Sequence, residues 1–173
     1  MNTYTHPKDI WEKMHREAFR AYNSQDLIDI KDHIFNFCIT AHSLRDWSIK
    51  HLNLSDKKAF HEQCNQYEVL QYCRDIANCT KHFKLDNGKS STVKELGEIK
   101  AEYAQILPDG TVHSTSKKMT YDIIFEDTNP MDLIMFLFKT QNAWDEVFEL
   151  KSIDKAGSTE KGNFAITYIF KSS

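Results

Sequence analysis

The longest periodic apolar pattern in this chain extends from Gln25 to about Leu52. Apolar residues recur there at intervals of three and four, as on the buried face of an α-helix, and additional apolar residues broaden that face. The pattern predicts a long central helix that is buried on more than one side. Only 5 Gly and 3 Pro occur in 173 residues, so few breaks interrupt regular structure and a mainly helical chain is expected.

Two further segments, one before and one after the central helix in the sequence, also predict helices. Residues 8–22 carry an amphipathic pattern, and Ser24 is placed to cap the central helix that follows. A third helix is expected over residues 56–85, because its apolar residues keep helical spacing. Asn87-Gly88 would end that helix with a left-handed C-terminal cap.

The period then changes from that of a helix to that of a strand. Residues 98–104 alternate charged and less polar side chains, Pro108-Asp109-Gly110 has tight-turn chemistry, and residues 111–126 form a second extended segment. These segments predict a β-hairpin. Asn129-Pro130 then provides a cap and a first-turn proline for a fourth helix of about twenty residues. Residues 164–170 have the strongest strand pattern, and we expect them to join the hairpin sheet.

Together these elements predict an α+β fold. The main part is an up-down bundle of about four helices, and a small antiparallel β-hairpin or sheet occupies the C-terminal half. We expect one domain over residues 1–173, with a helical part at about 8–86 and 130–150. The β part is expected at about 93–126 and 163–171.

Other sequence features predict a cytoplasmic location. No apolar run approaches the ~20 residues needed to span a bilayer, and the N-terminal segment lacks the apolar stretch of a signal peptide. The four cysteines lie among apolar neighbours without a CxxC pair, which is typical of reduced buried thiols. We therefore expect no membrane partner, no metal and no cofactor.

Two of the four arginines begin the same dipeptide, as Arg45-Asp46 and Arg74-Asp75, within helices predicted to be central. An arginine in a mostly apolar helix needs a partner, because an unpaired buried charge costs several kcal/mol. If the second and third helices pack antiparallel, the two dipeptides would meet in one groove. We predict that this groove binds a ligand through Arg45, Asp46, His42 and His51.

The predicted third helix also places six polar residues along one edge, at intervals of three and four: Gln71, Arg74, Asp75, Asn78, Lys81 and His82. The planar guanidinium of an arginine suits phosphate, and a histidine exchanges a proton near neutral pH, so the two together are what cleavage of a phosphodiester bond by an internal 2′-hydroxyl requires. Nearby Asn and Asp side chains would orient that pair. The predicted catalytic residues are Arg74, His82, Asn78 and Asp75.

A helical bundle with a central Arg and His edge resembles the HEPN superfamily, whose motif is an Arg, a polar residue and a His after four to six residues. Arg45 and His51 have five residues between them, whereas Arg74 and His82 have seven. Residues 41–47 and 73–83 are more narrowly similar to small bacterial and phage proteins, and the resemblance extends over roughly residues 25–150. It implies a domain that engages RNA or a nucleotide, either as a metal-independent ribonuclease of a toxin, defence or phage system that acts as a homodimer or as an inactive binding or scaffold member.

A second interpretation assigns the same residues a structural role. The chain would then be a non-catalytic protein-interaction module, and the Arg and Asp side chains would specify helix packing. A net charge of -3 provides no broad field for nucleic acids. The chain also contains no GxGxxG, GxxxxGK[ST], HExxH or GxSxG motif, so dinucleotide-binding, nucleotide-triphosphate, zinc-protease and hydrolase functions lack support.

Overall fold

A computed structural model describes residues 4–81, 92–106, 109–126 and 128–155, with the backbone alone at 79–81 and 105–106. These residues form five helices and a three-stranded antiparallel sheet, which confirms the predicted α+β, mainly helical fold. The elements are α1 (Pro7–Asn23), α2 (Leu27–His51), α3 (Lys57–Cys64), α4 (Glu68–Lys81), β1 (Val93–Ile106), β2 (Val112–Phe125), β3 (Met131–Asp132) and α5 (Leu133–Leu150). None of these helices is long and apolar enough to cross a membrane.

Helix α2 lies at the centre of the bundle, as its broad apolar pattern predicts. Ile30, Ile34, Phe37 and Leu44 are fully buried, and α1 and α4 both pack against this helix. The predicted cap at Ser24 is wrong. Ser24 instead ends α1, and the side chain of Asp26 accepts the first free N–H groups of α2.

The predicted single helix over residues 56–85 is wrong, because a turn at residues 65–67 divides it into α3 and α4. Asn65 ends α3 by donating its backbone N–H to the carbonyl of His61. The side-chain amide of Gln71 donates to the carbonyl of Asn65 at 2.8 Å and holds the turn against α4. The continuation beyond Lys81 and the predicted stop at Asn87-Gly88 lie outside the described residues.

The predicted hairpin is confirmed as β1 and β2, which pair with Val93 opposite Phe125 and Lys100 opposite Met119. Tyr121, Ile123 and Phe125 alternate along β2 and belong to the hydrophobic core shared with the helices. The predicted strand at residues 163–171 lies outside the described residues.

The predicted start of the last helix is wrong by a few residues. Asn129 does not cap it. The side chain of Asp132 accepts the N–H groups of Ile134 and Met135, and Met131–Asp132 pair with β2 as β3. Asp132 is therefore both the last residue of β3 and the N-cap of α5.

Lys118 fastens the hairpin to the connection between α1 and α2. Its ammonium donates to the backbone carbonyls of Tyr22 and Ser24, and it lies 5.2 Å and 5.6 Å from the ring centres of Tyr22 and Tyr103. A cation at the C-terminal end of a helix is favoured by the helix dipole and by unpaired carbonyls. The sheet is thus held against the helical bundle by polar as well as apolar contacts.

Candidate functional site

Arg45 is one of the most deeply buried charged side chains, with 2% of its surface exposed. Its Nη1 donates to Oδ1 of Asn65 at 2.8 Å, and its Nη2 donates to the carbonyl of Leu70 at 3.2 Å. Burial lowers the pKa of this guanidinium. Arg45 therefore joins α2 to the turn between α3 and α4 and to the first turn of α4.

Arg74 and Asp75 form a pair between neighbours in sequence. Nε and Nη2 of Arg74 donate to Oδ1 of Asp75 at 2.9 Å and 2.8 Å. The other oxygen, Oδ2, accepts from the backbone N–H of Thr92 at 3.1 Å and from its hydroxyl at 2.9 Å. The side chain of Asp75 is buried, whereas 33% of the Arg74 side chain is exposed. Asp75 therefore ties α4 to the residue that precedes β1.

The two Arg-Asp dipeptides approach each other without bonding. The described residues contain no hydrogen bond or ion pair between them, although the positive charge of Arg74 contributes to the lowered pKa of Arg45. Asp46 is exposed and lies on a different surface from the Arg74 and Asp75 pair. It lines an open concavity of about 570 Å³ at the corner between α2 and α3, together with Lys50, Lys57 and His61.

The remaining predicted site residues are spread over the bundle. His42 on α2 and Asn78 on α4 are half-buried. His51 is exposed at the end of α2, where its ring contacts the ring of His6 at a centroid distance of 4.2 Å. His6 is the N-cap of α1. His82 lies outside the described residues.

A polar cluster that the sequence analysis missed lies between α1 and α5. The side-chain amide nitrogen of Gln141 is 3.0 Å from Nδ1 of His15. Oδ1 of Asp145 accepts from the indole N–H of Trp11 at 2.9 Å and from the ammonium of Lys155 at 3.1 Å. All five residues line a concavity of about 240 Å³.

The histidine of this cluster is neutral at physiological pH. Only 5% of His15 is exposed, and burial lowers its pKa to about 4. The negative charge of Asp145 acts in the opposite direction and raises this pKa, but by less than burial lowers it. The side-chain amide nitrogen of Gln141 donates to Nδ1 in the tautomer that carries the ring proton on Nε2, an atom that is buried without a hydrogen-bond partner among the described residues. The available sequence signal was the pair of four-residue spacings, Trp11 to His15 on α1 and Gln141 to Asp145 on α5.

No group of three or more His, Cys, Asp or Glu side chains in the described ranges has an arrangement that would hold a metal ion. Comparisons with protein-family models, with curated proteins and with solved structures return no match for this chain. The resemblance to the HEPN superfamily thus stays a prediction that rests on the motif residues.

Proposed function

We propose that this chain is a non-catalytic interaction module in which the buried Arg and Asp side chains stabilise the fold. The observation that supports this proposal is the placement of Arg45. Two of its three nitrogens already bond to Asn65 and Leu70, the third, Nε, is buried, and only 2% of the residue is exposed to solvent. A guanidinium that clamps a substrate phosphate must present its donors to solvent.

Asp75 supports the same conclusion. Both of its oxygens accept hydrogen bonds from its own chain, one from Arg74 and the other from Thr92. The oxygen that binds Thr92 has a structural role, whereas the oxygen that binds Arg74 holds that exposed guanidinium in place. In this domain the carboxylate is used to join α4 to the start of the sheet.

RNA or nucleotide binding is the second candidate function, and the exposure of Arg74 favours it. One third of this side chain is exposed, and the described residues provide no hydrogen bond to its Nη1. One guanidinium nitrogen therefore remains for a phosphate oxygen from solvent.

One experiment separates the two candidates and also tests for catalysis. Labelled single-stranded RNA is incubated in EDTA with wild-type protein, with Arg74→Ala, and with Arg16→Ala as a control whose side chain is equally exposed, at 35%. We expect no cleavage and the same weak anisotropy change with all three proteins. Binding that Arg74→Ala alone weakens about tenfold would favour the second candidate. Cleavage that is lost in a folded Arg74→Ala protein would contradict the first candidate and would make the second a catalytic function.

A further inference from the structure

The concavity between α1 and α5 already contains an ammonium group, supplied by the chain itself. The Nζ atom of Lys155 lies 3.1 Å from Oδ1 of Asp145 and 5.5 Å from the ring centre of Trp11. The carboxylate lies at the N–H edge of the indole and the ammonium lies over the indole face, so the cation has both a counter-ion and an aromatic ring. Lys155 lies beyond the end of α5 at Leu150, and 29% of its side chain is exposed, so it can leave without disturbing the helix.

The residues around this ammonium are fixed in place. The indole N–H of Trp11 donates to Asp145 at 2.9 Å and orients the carboxylate, and Trp11 itself is only 5% exposed. The His15 ring contacts the indole at a centroid distance of 4.1 Å. Since His15 is neutral above about pH 4, it adds no positive charge that would repel a cation. Without Lys155, the cluster of Trp11, His15, Gln141 and Asp145 has one net negative charge.

We propose that this concavity binds a small primary alkylammonium ion, with Lys155 as the competing occupant from the same chain. With Lys155 as part of its lining, the concavity has a volume of about 240 Å³, below the ~300–1,000 Å³ of typical drug-sized ligand pockets, and this favours a small amine or the end of a lysine side chain as the ligand. The ligand's ammonium donates to Asp145 in place of Nζ, and its alkyl chain packs on the face of Trp11 that Lys155 covers.

The competition predicts that removing Lys155 strengthens binding. A group tethered to the same chain competes at an effective concentration on the order of millimolar. For an ammonium group with an intrinsic dissociation constant of about 0.1 mM this competition weakens binding about tenfold, so we expect Lys155→Ala to bind n-butylammonium chloride about tenfold more tightly than the wild type. Lys151→Ala is the matched control. The ammonium of Lys151 lies 5.7 Å from the ring centre of Phe60, so this substitution also removes one positive charge from an aromatic ring, but at another place. It should bind as the wild type does.

The indole N–H signal of Trp11 provides a direct measurement by heteronuclear NMR. The chain has 3 Trp, and Trp11→Phe identifies the signal by deleting one of the three. We expect n-butylammonium to shift this signal saturably in Lys155→Ala. The shift should be lost when Lys155→Ala is combined with Asp145→Asn, a substitution that keeps an oxygen acceptor for the indole N–H of Trp11. Sodium chloride at equal ionic strength should produce no saturable shift.

The absence of a saturable shift in Lys155→Ala, or a shift that persists after Asp145→Asn, would overturn the proposal. A lysine with both backbone ends blocked is titrated in parallel to identify the source of the ammonium. If it binds more tightly than n-butylammonium, the source is a lysine of another protein. If it binds equally or less tightly, the source is a free amine.

Discussion

Replacing Arg45 by alanine is expected to lower the free energy of unfolding by about 3 kcal/mol or more. Each hydrogen bond from a charged donor contributes about 1.5–3 kcal/mol, and Arg45 makes two, to Asn65 and to the carbonyl of Leu70. Truncation also leaves a cavity next to α4. Because domains of this size are stable by only about 5–15 kcal/mol, the loss should be evident in urea unfolding followed by circular dichroism.

Arg74→Ala is the comparison for this measurement. Its side chain is one-third exposed, and Asp75 keeps both hydrogen bonds from Thr92, so a loss of about 1 kcal/mol is expected. If Arg45→Ala does not fold, Arg45→Met retains most of the packing volume and should lose less stability than alanine. An Arg45→Ala protein as stable as the wild type would show that the guanidinium does not stabilise the fold.

Acidification from pH 6.5 to pH 4 is expected to cost up to about 3 kcal/mol through His15 alone, since one pKa unit corresponds to about 1.36 kcal/mol. Burial lowers the pKa of His15 from 6.5 to about 4 in the folded protein. Between these values the unfolded chain binds a proton that the folded protein does not, so stability falls as the pH falls. Above pH 6.5 both states are neutral and the effect disappears.

The contribution of His15 is isolated by comparing the wild type with His15→Gln. This substitution removes the titration, so its free energy of unfolding should depend less steeply on pH between 6.5 and 4. His113→Gln, at an exposed position of β2, is the control and should retain the slope of the wild type. Equal slopes for the wild type and His15→Gln would contradict a buried, neutral His15.

The helices could be predicted because their apolar residues repeat over several turns. The wrong predictions concern helix ends, where more than one nearby residue could cap the helix. Ser24 and Asn129 are good capping residues, but Asp26 and Asp132 lie two and three residues closer to the helices and cap them. The break at Asn65 has no glycine or proline to signal it. It is favoured by bonds from Arg45 and Gln71.

The polar sites were harder to predict, because their partners are distant in sequence. The residues that Arg45 contacts lie 20 and 25 positions away, and no spacing rule connects them. His15 and Gln141 are separated by 126 positions and meet only because α1 packs against α5. The sequence therefore indicated that Arg45 needs a partner, but the identity of that partner depends on the tertiary fold.

The most direct test of the central claim, that Arg45 binds its own chain rather than a substrate, is a double-mutant cycle between Arg45 and Asn65. The free energy of unfolding is measured for the wild type, Arg45→Met, Asn65→Ala and the double variant. We predict a coupling energy of about 1–2 kcal/mol, so that the second substitution costs less once the first is present. Effects that add to within about 0.5 kcal/mol would contradict the claim.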